Sequence, residues 1–276
     1  MTYKLFFIVL FWASSITFCN ETQIEVQKII KKSSILSELA PSDQVKLASL
    51  FANLGHEHRK KNKWILSVIY YRKSLALNPE DHQLILFSGM NYSKVKRYSK
   101  AIELFLQYKS VATQDSWLKI CDQYLFDTLN LKGDQLSKTS LWDLAITSYN
   151  DALNYSNSAE KTANVLSKIH YGYFQKGSFH FSQKHYLEAS KNLLKVLTPE
   201  TNKSLVRKVE RMASHLFLNS AKHYEKEGNH KEALKYYHSI ANYFKSESGV
   251  KYSNARIKHL ENLIIEDENQ NNWISE

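Results

Sequence analysis

Residues 54–79, LGHEHRKKNKWILSVIYYRKSLALNP, decide the fold. Leu54-Gly55 is followed nine residues on by Trp64, then by Ser67, Tyr71, Ser74 and Pro79. The second half of this signature returns four times: as Tyr98, Ala101 and Phe105; as Trp142, Ala145, Tyr149 and Ala152; as Tyr186, Ala189 and Leu193; and as His230, Ala233 and Tyr237. The glycine returns as Gly89, Gly133 and Gly177, with Ala221 in its place in the last copy. From Trp64 to Tyr98 is 34 residues, and each later step, to Trp142, Tyr186 and His230, is 44. A fixed period of this kind marks a chain of stacked structural units, none of which buries its apolar face alone.

The pattern resembles the tetratricopeptide repeat, a 34-residue helix–turn–helix unit. That unit has Leu-Gly in its first helix (A), an aromatic early in its second (B), then small, aromatic and small residues and a closing Pro. The resemblance covers about residues 45–247 and implies an all-α chain: a right-handed α-solenoid of five helix pairs. Helices A and B pack antiparallel where small residues let their backbones approach, and the aromatics plug the space between neighbouring repeats. Lys132 and Lys176 depart from the usual Leu, and Tyr108 from the usual small residue.

The helix pairs are expected at about 43–61/63–78, 80–94/96–111, 115–137/139–155, 159–181/183–197 and 201–227/230–245. Pro41-Ser42-Asp43 should break the preceding segment and cap the first pair. The excess, ten or eleven residues, precedes each later helix A, as Thr113–Asp122, Ser158–Ser167 and Thr201–Arg211. It reads either as three extra helical turns or as a loop with a turn or two. A helix at about Gly249–Glu266, with Val250, Ile257, Leu260 and Ile264 on one side, would cap the fifth repeat, leaving a frayed acidic tail. The expected organisation is a signal peptide at 1–19, an N-terminal helix within 20–42, a solenoid at 43–247, and a cap and tail at 248–276.

The apolar run Leu5–Phe18 follows a short, Lys4-bearing start. Fourteen helical residues span about 21 Å, short of the roughly 30 Å of a hydrocarbon core, so an export signal fits better than a spanning helix. Thr17 and Cys19 fit cleavage before Asn20, and Ala13 and Ser15 cleavage before Ile16. Cys19 also fits a lipoprotein signal with a lipidated Cys, although Phe18 before it departs from that pattern. The localisation expected is the periplasm or cell envelope, soluble or tethered to a membrane through Cys19.

Composition narrows function by exclusion. Seven Gly and three Pro in 276 residues argue against a many-turned β-sandwich or a Gly/Pro-rich disordered chain. Two Cys cannot build a disulfide framework or a four-thiolate zinc site. The eleven His lack i, i+4 ligand pairing and an HExxH frame, and no GxSxG, GxxxxGK[ST] or GxGxxG occurs. No catalytic residue, metal or cofactor is therefore expected, and Cys121 reads as a buried free thiol. Thirty-seven Lys and Arg against 27 Asp and Glu give net +10 and favour acidic partners.

The resemblance places ligand contacts on helix A, at positions 2, 5, 9, 12 and 13 of each repeat. Its candidates for partner binding are His56, Arg59 and Lys60; Met90 and Lys94; Asn130 and Lys138; Tyr171 and Phe174; and Lys222 and Lys226. Lys recurs at position 13 in four of five repeats, as a basic ladder or as solvated A–B turns. Tyr171, Phe174 and Phe181 read as an aromatic ligand patch or a core stripe. Ala52 and His56 stand where chaperone-binding members carry a Lys and Asn clamp for a terminal carboxylate, so that clamp is not expected. The chain also shows similarity to bacterial cell-envelope tetratricopeptide lipoproteins. The reading is a non-catalytic exported scaffold that takes a protein or peptide segment, acidic in character, in its groove and serves cell-envelope assembly. The alternative is a binder of a polyanionic envelope polymer or anionic membrane surface; no nucleic-acid partner is expected.

Overall fold

The computed structural model describes residues 40–274, with side chains to residue 265. The segment expected to be an export signal, Cys19 and the helix expected before Pro41 lie outside the described residues. Eleven helices and no strand occur among the described residues. They are α1 (Pro41–Lys60), α2 (Trp64–Leu77), α3 (His82–Lys94), α4 (Tyr98–Val111), α5 (Asp115–Lys138), α6 (Trp142–Leu153), α7 (Ala159–Ser182), α8 (Tyr186–Leu194), α9 (Lys203–Lys226), α10 (His230–Tyr243) and α11 (Glu247–Ile274). Each odd-numbered helix from α1 to α9 is a helix A and the helix after it the B of the same repeat. The chain forms two compact units that divide inside α5, between Leu131 and Lys132.

One contact recurs in every hairpin. A Cβ placed on Gly55, Gly89 or Gly133 would collide with the ring of Tyr71, Phe105 or Tyr149, and one on Gly177 with the side chain of Leu193. The partner lies sixteen residues ahead each time. Tyr71, Phe105 and Leu193 are fully buried. The fifth repeat keeps the spacing with Ala221 and Tyr237, both buried. The space that helix A leaves open is thus filled by a side chain of its own helix B, a ring in every repeat but the fourth. Sequence reasoning had put these aromatics between neighbouring repeats. Only some also reach outward, as Phe105 does by stacking on Tyr124 of the next helix A, with centroids 5.9 Å apart.

Twelve residues beyond each of these positions stands the small residue that brings the helices together. Ala101, Ala145, Ala189 and Ala233 are buried, and the carbonyl of Ala189 lies 3.3 Å from where a Cβ on Gly177 would be. In the first repeat Ser67 takes that place, and its hydroxyl donates to the Gly55 carbonyl at 2.7 Å.

The ten-residue excess is helix. α5, α7 and α9 have 24 residues each, against 13 in α3. The extra turns lie along the preceding helix B. In the first unit the Cys121 thiol donates to the Phe105 carbonyl at 3.4 Å and Asp122 pairs with Lys109 at 2.5 Å. In the second, Val209 shares one apolar core with Leu193, Val196 and Leu197.

The A–B turns share one geometry that composition hides. Asn62, Lys96, Ser140, Lys184 and Gly228 all take left-handed backbone, with φ from 55° to 74°. The following amide reaches back five residues in each, as from Arg97 to the Tyr92 carbonyl and from His185 to the His180 carbonyl. This ties off the open carbonyls at the end of helix A. Only the last repeat uses the residue that takes this conformation without strain.

Two boundaries differ from expectation. Ser42 and Asp43 do not cap α1, because Pro41 itself is in the first turn after Ala40, where its missing N–H costs nothing, and Asp43 lies inside that turn. The terminal helix runs on to Ile274 through residues, Glu and Gln among them, that tolerate helix well. Its Leu260 enters the core of the fifth repeat with Ile257 packed against it, as a cap should.

Ala145→Leu and Ala189→Leu should each destabilise by about 1–3 kcal/mol, the usual cost of overpacking. The reading is the urea midpoint; unchanged midpoints would remove the assigned contact. Lys184→Gly should act in the opposite sense, raising stability by about 0.5–1 kcal/mol through relief of the left-handed turn. A lowered midpoint would show that the turn is not strained.

Candidate functional site

In the first unit, three candidates meet around one open recess of about 680 Å³, lined by Asn53, His56, Glu57, Arg59, Lys60 and Trp64. His56 is held from two sides. Its Nδ1 shares a hydrogen bond of 2.7 Å with the Tyr71 hydroxyl, and its ring meets Phe87 edge-on at 5.5 Å. The Arg59 guanidinium lies over the Phe87 ring, 4.7 Å from its centroid, and its Nη2 approaches the Met90 sulfur at 3.3 Å. Arg59 therefore presents a planar cation whose orientation is set by an aromatic floor. Met90 is 5% exposed, so it forms part of that floor. Lys60 is exposed, and Asn130 is half-buried on α5.

Phe87 and Trp64 are not among the residues that the sequence points to for partner binding. Phe87 lies three residues before Met90, one turn away on the same helix side, which is the signal that points to it. Trp64 was read only as a repeat marker, but it forms one wall of the recess.

In the second unit Asp134 is the polar centre. Its carboxylate accepts from the Tyr149 hydroxyl at 2.8 Å and from Lys168 Nζ at 2.7 and 2.9 Å. Burial, then the Asp134 hydrogen bond, pushes the Tyr149 phenol upward. Glu225 has the same part in the fifth repeat, accepting from the Tyr237 hydroxyl at 2.9 Å and pairing with Arg256. Each carboxylate is engaged twice, by the phenol of its own hairpin and by a cation of a following helix, Lys168 of α7 or Arg256 of α11.

The three aromatics of the fourth repeat have three different surroundings. Tyr171 is exposed and meets Trp142 edge-on at 6.1 Å. Phe174 packs against the core of the second unit. Phe181 meets Tyr186 at 5.8 Å and lines a recess of about 610 Å³ with Leu187, Met212, His215 and His223. Lys222 extends over the Tyr252 ring, 5.2 Å from its centroid.

The position-13 lysines have a common place. Lys60, Lys94, Lys138 and Lys226 are each the last residue of their helix A and all are exposed. A cation there complements the negative end of the helix.

Cys121 is fully buried, and burial pushes its thiol up to about 12, so it stays protonated at neutral pH. Among the described residues no group of three or more His, Cys, Asp or Glu is placed to hold a metal, and no helix is long and apolar enough to cross a membrane.

His56, His58 and His170 are all shifted below the ordinary value of 6.5, first by burial. His170 also sits between the hydroxyls of Thr198 and Thr201, at 3.4 and 3.2 Å. The unfolded chain binds protons at these sites before the folded one does. Their contribution is therefore whole above pH 6.5 and is lost as pH falls through the lower folded-state values. The thermal midpoint should drop on acidification below about pH 6.5, less steeply in His170→Gln. Parallel pH profiles for the two proteins would exclude His170 from the effect.

No family model and no curated protein matches the chain. Solved structures similar to it include the MamA protein, at 16% identity and a TM-score of 0.30 over 72% of this chain and 96% of that one. YrrB, a TPR protein with an unusual peptide-binding site, matches at 13% and 0.30 over 83% and 97%. PilF of Pseudomonas aeruginosa matches at 15% and 0.26 over 84% and 87%. The chain's own packing, with a helix A glycine or alanine set against a buried helix B residue sixteen positions on in all five hairpins, makes the fold that of tetratricopeptide repeats.

Proposed function

We propose that the chain is a protein-interaction scaffold that receives a segment of a partner protein on the exposed surface of its A helices. One observation carries this reading. Four of the five hairpins bury one helix B ring in their own cores, and the A helices contribute to lined recesses open to solvent, the first lined by Lys60 and by Arg59, which stacks over Phe87. A shaped surface with an oriented cation and an aromatic wall suits a peptide with acidic groups. Site-specific photo-crosslinking tests the reading. A crosslinker at exposed Asn53 or Lys60 of α1 should capture a partner protein in the native cells, and one at exposed Arg72 or Ala76 of α2 should not. Equal capture from both helices, or capture from α2 alone, would overturn it.

Delivery to the cell envelope completes the proposal, supported by the apolar run Leu5–Phe18. The mature protein then begins at Asn20, or at Cys19 bearing acyl groups as a membrane tether. Intact mass of the native protein distinguishes the two, and a chain retaining Met1 at full mass would refute processing. The service of such a scaffold would be envelope assembly, with the basic character of the chain drawing acidic partners.

A further inference from the structure

We infer that one face of α9, in the fifth repeat, is a docking site for an acidic segment of another protein that carries one aromatic residue. The inference rests on the scaffold reading and gives it a place and a ligand chemistry. α9 holds the cations Lys203, Arg207, Lys208, Arg211, Lys222 and Lys226 against the acids Glu210 and Glu225. At 3.6 residues per turn, Lys208, Arg211, His215, Lys222 and Lys226 fall within about 60° of one another around the helix. All five are exposed. Val209, Ala213 and Phe217 are buried on the opposite side.

Both acids fall outside this arc and are engaged elsewhere. Glu210 accepts from the Lys245 amide at 2.5 Å, and Glu225 accepts from Tyr237 and pairs with Arg256. The arc is thus a basic stripe with no acid of its own helix in it. Lys208 to Lys226 spans about 27 Å, the length of roughly eight extended residues. Lys222 already leans on Tyr252, which holds one cation of the stripe in place.

Alongside the stripe runs the 610 Å³ recess between α9 and the α7–α8 turn. Phe181 is 37% and Tyr186 50% exposed, and their rings meet at 5.8 Å to form one wall. Leu187 and Met212 add apolar surface. An apolar wall on which a single ring can pack gives an anchor where a charged stripe alone would give only attraction. The same features argue against a membrane as the occupant. A helix lying in a lipid surface inserts its apolar face, and that face of α9 is inside the protein core.

The test uses the purified mature chain and a fluorescein-labelled synthetic peptide of alternating Glu and Ser with one central Trp, read by anisotropy. Lys208→Glu, Arg211→Glu, Lys222→Glu and Lys226→Glu together should weaken binding about ten-fold or more at low salt, with the difference shrinking as salt rises. Replacing the peptide Trp by Ala should weaken binding to the unmodified chain about ten-fold, yet change little for the Phe181→Ala, Tyr186→Ala variant. The control reverses Arg72, Lys100, Lys191 and Lys235, exposed on the B helices, giving the same net charge. All substituted residues are exposed, and circular dichroism checks that each variant is folded.

Equal losses from the two reversals would leave only net charge and overturn the site. So would indifference to the peptide Trp, or no binding by the unmodified chain. Binding of phosphatidylserine vesicles, lost in the α9 reversal while the peptide stays unbound, would overturn it in favour of a lipid surface. Peptide binding lost only in the helix B reversal would remove this site without deciding the scaffold reading. That reading itself falls only by the crosslinking outcome on α2.

Discussion

The structure depends on one steric fit: a side chain of helix B, a ring in every repeat but the fourth, seated where helix A carries Gly or Ala. The fit sets how closely the two helices approach, and it fixes their register, because a shift of one residue would bring a Cβ into the ring. It also gives four of the chain's aromatic residues a purpose without a ligand. Tyr71, Phe105, Tyr149 and Tyr237 are spent inside hairpins. Three of the four carry a hydroxyl, and each hydroxyl finds a polar residue of its helix A: His56, Asp134 or Glu225. Burying a phenol needs such a partner, so the fit also dictates which polar side chains of helix A are used up.

What remains exposed on helix A follows from that. Asp134 and Glu225 belong to hairpin closure, and Met90 is floor. The residues left to a partner are those the fit does not reach: Arg59 on its aromatic support, the helix-ending lysines, and the basic side of α9 beside Phe181 and Tyr186. Candidates drawn from repeat positions alone mix these two groups, because a position number does not say whether a polar atom is already bonded within the hairpin.

Much of the architecture was legible from residue spacing. The glycines, alanines and helix B aromatics recur at fixed intervals, and ten helices of five pairs follow with ends shifted by a few residues. The A–B turns were not legible, because Lys96, Ser140 and Lys184 hold a backbone conformation for which glycine is the usual sign. The ten-residue excess stayed open between helix and loop, since its apolar residues, Cys121 and Val209 among them, show their purpose only against the preceding helix B. The α9 stripe was half visible: its lysines stood in the sequence, but that both acids point away from it depends on Lys245, Tyr237 and Arg256, which are far off in the chain.

The long A helices carry a consequence for how the chain comes apart. A 24-residue helix paired with a partner of 9 to 14 residues overhangs it by several turns. The overhangs of α5 and α9 are sheltered by the preceding repeat, through Phe105 and Lys109 for the one and Val196 and Leu197 for the other. In a stack of equal hairpins, stability divides into what each repeat holds within itself and what it shares with a neighbour. Here the balance moves toward the shared part, so a later repeat severed from the one before it would lose the ground beneath half of its longest helix. Such a chain should tolerate the loss of whole repeats poorly and melt within each unit as a block instead of fraying from its ends.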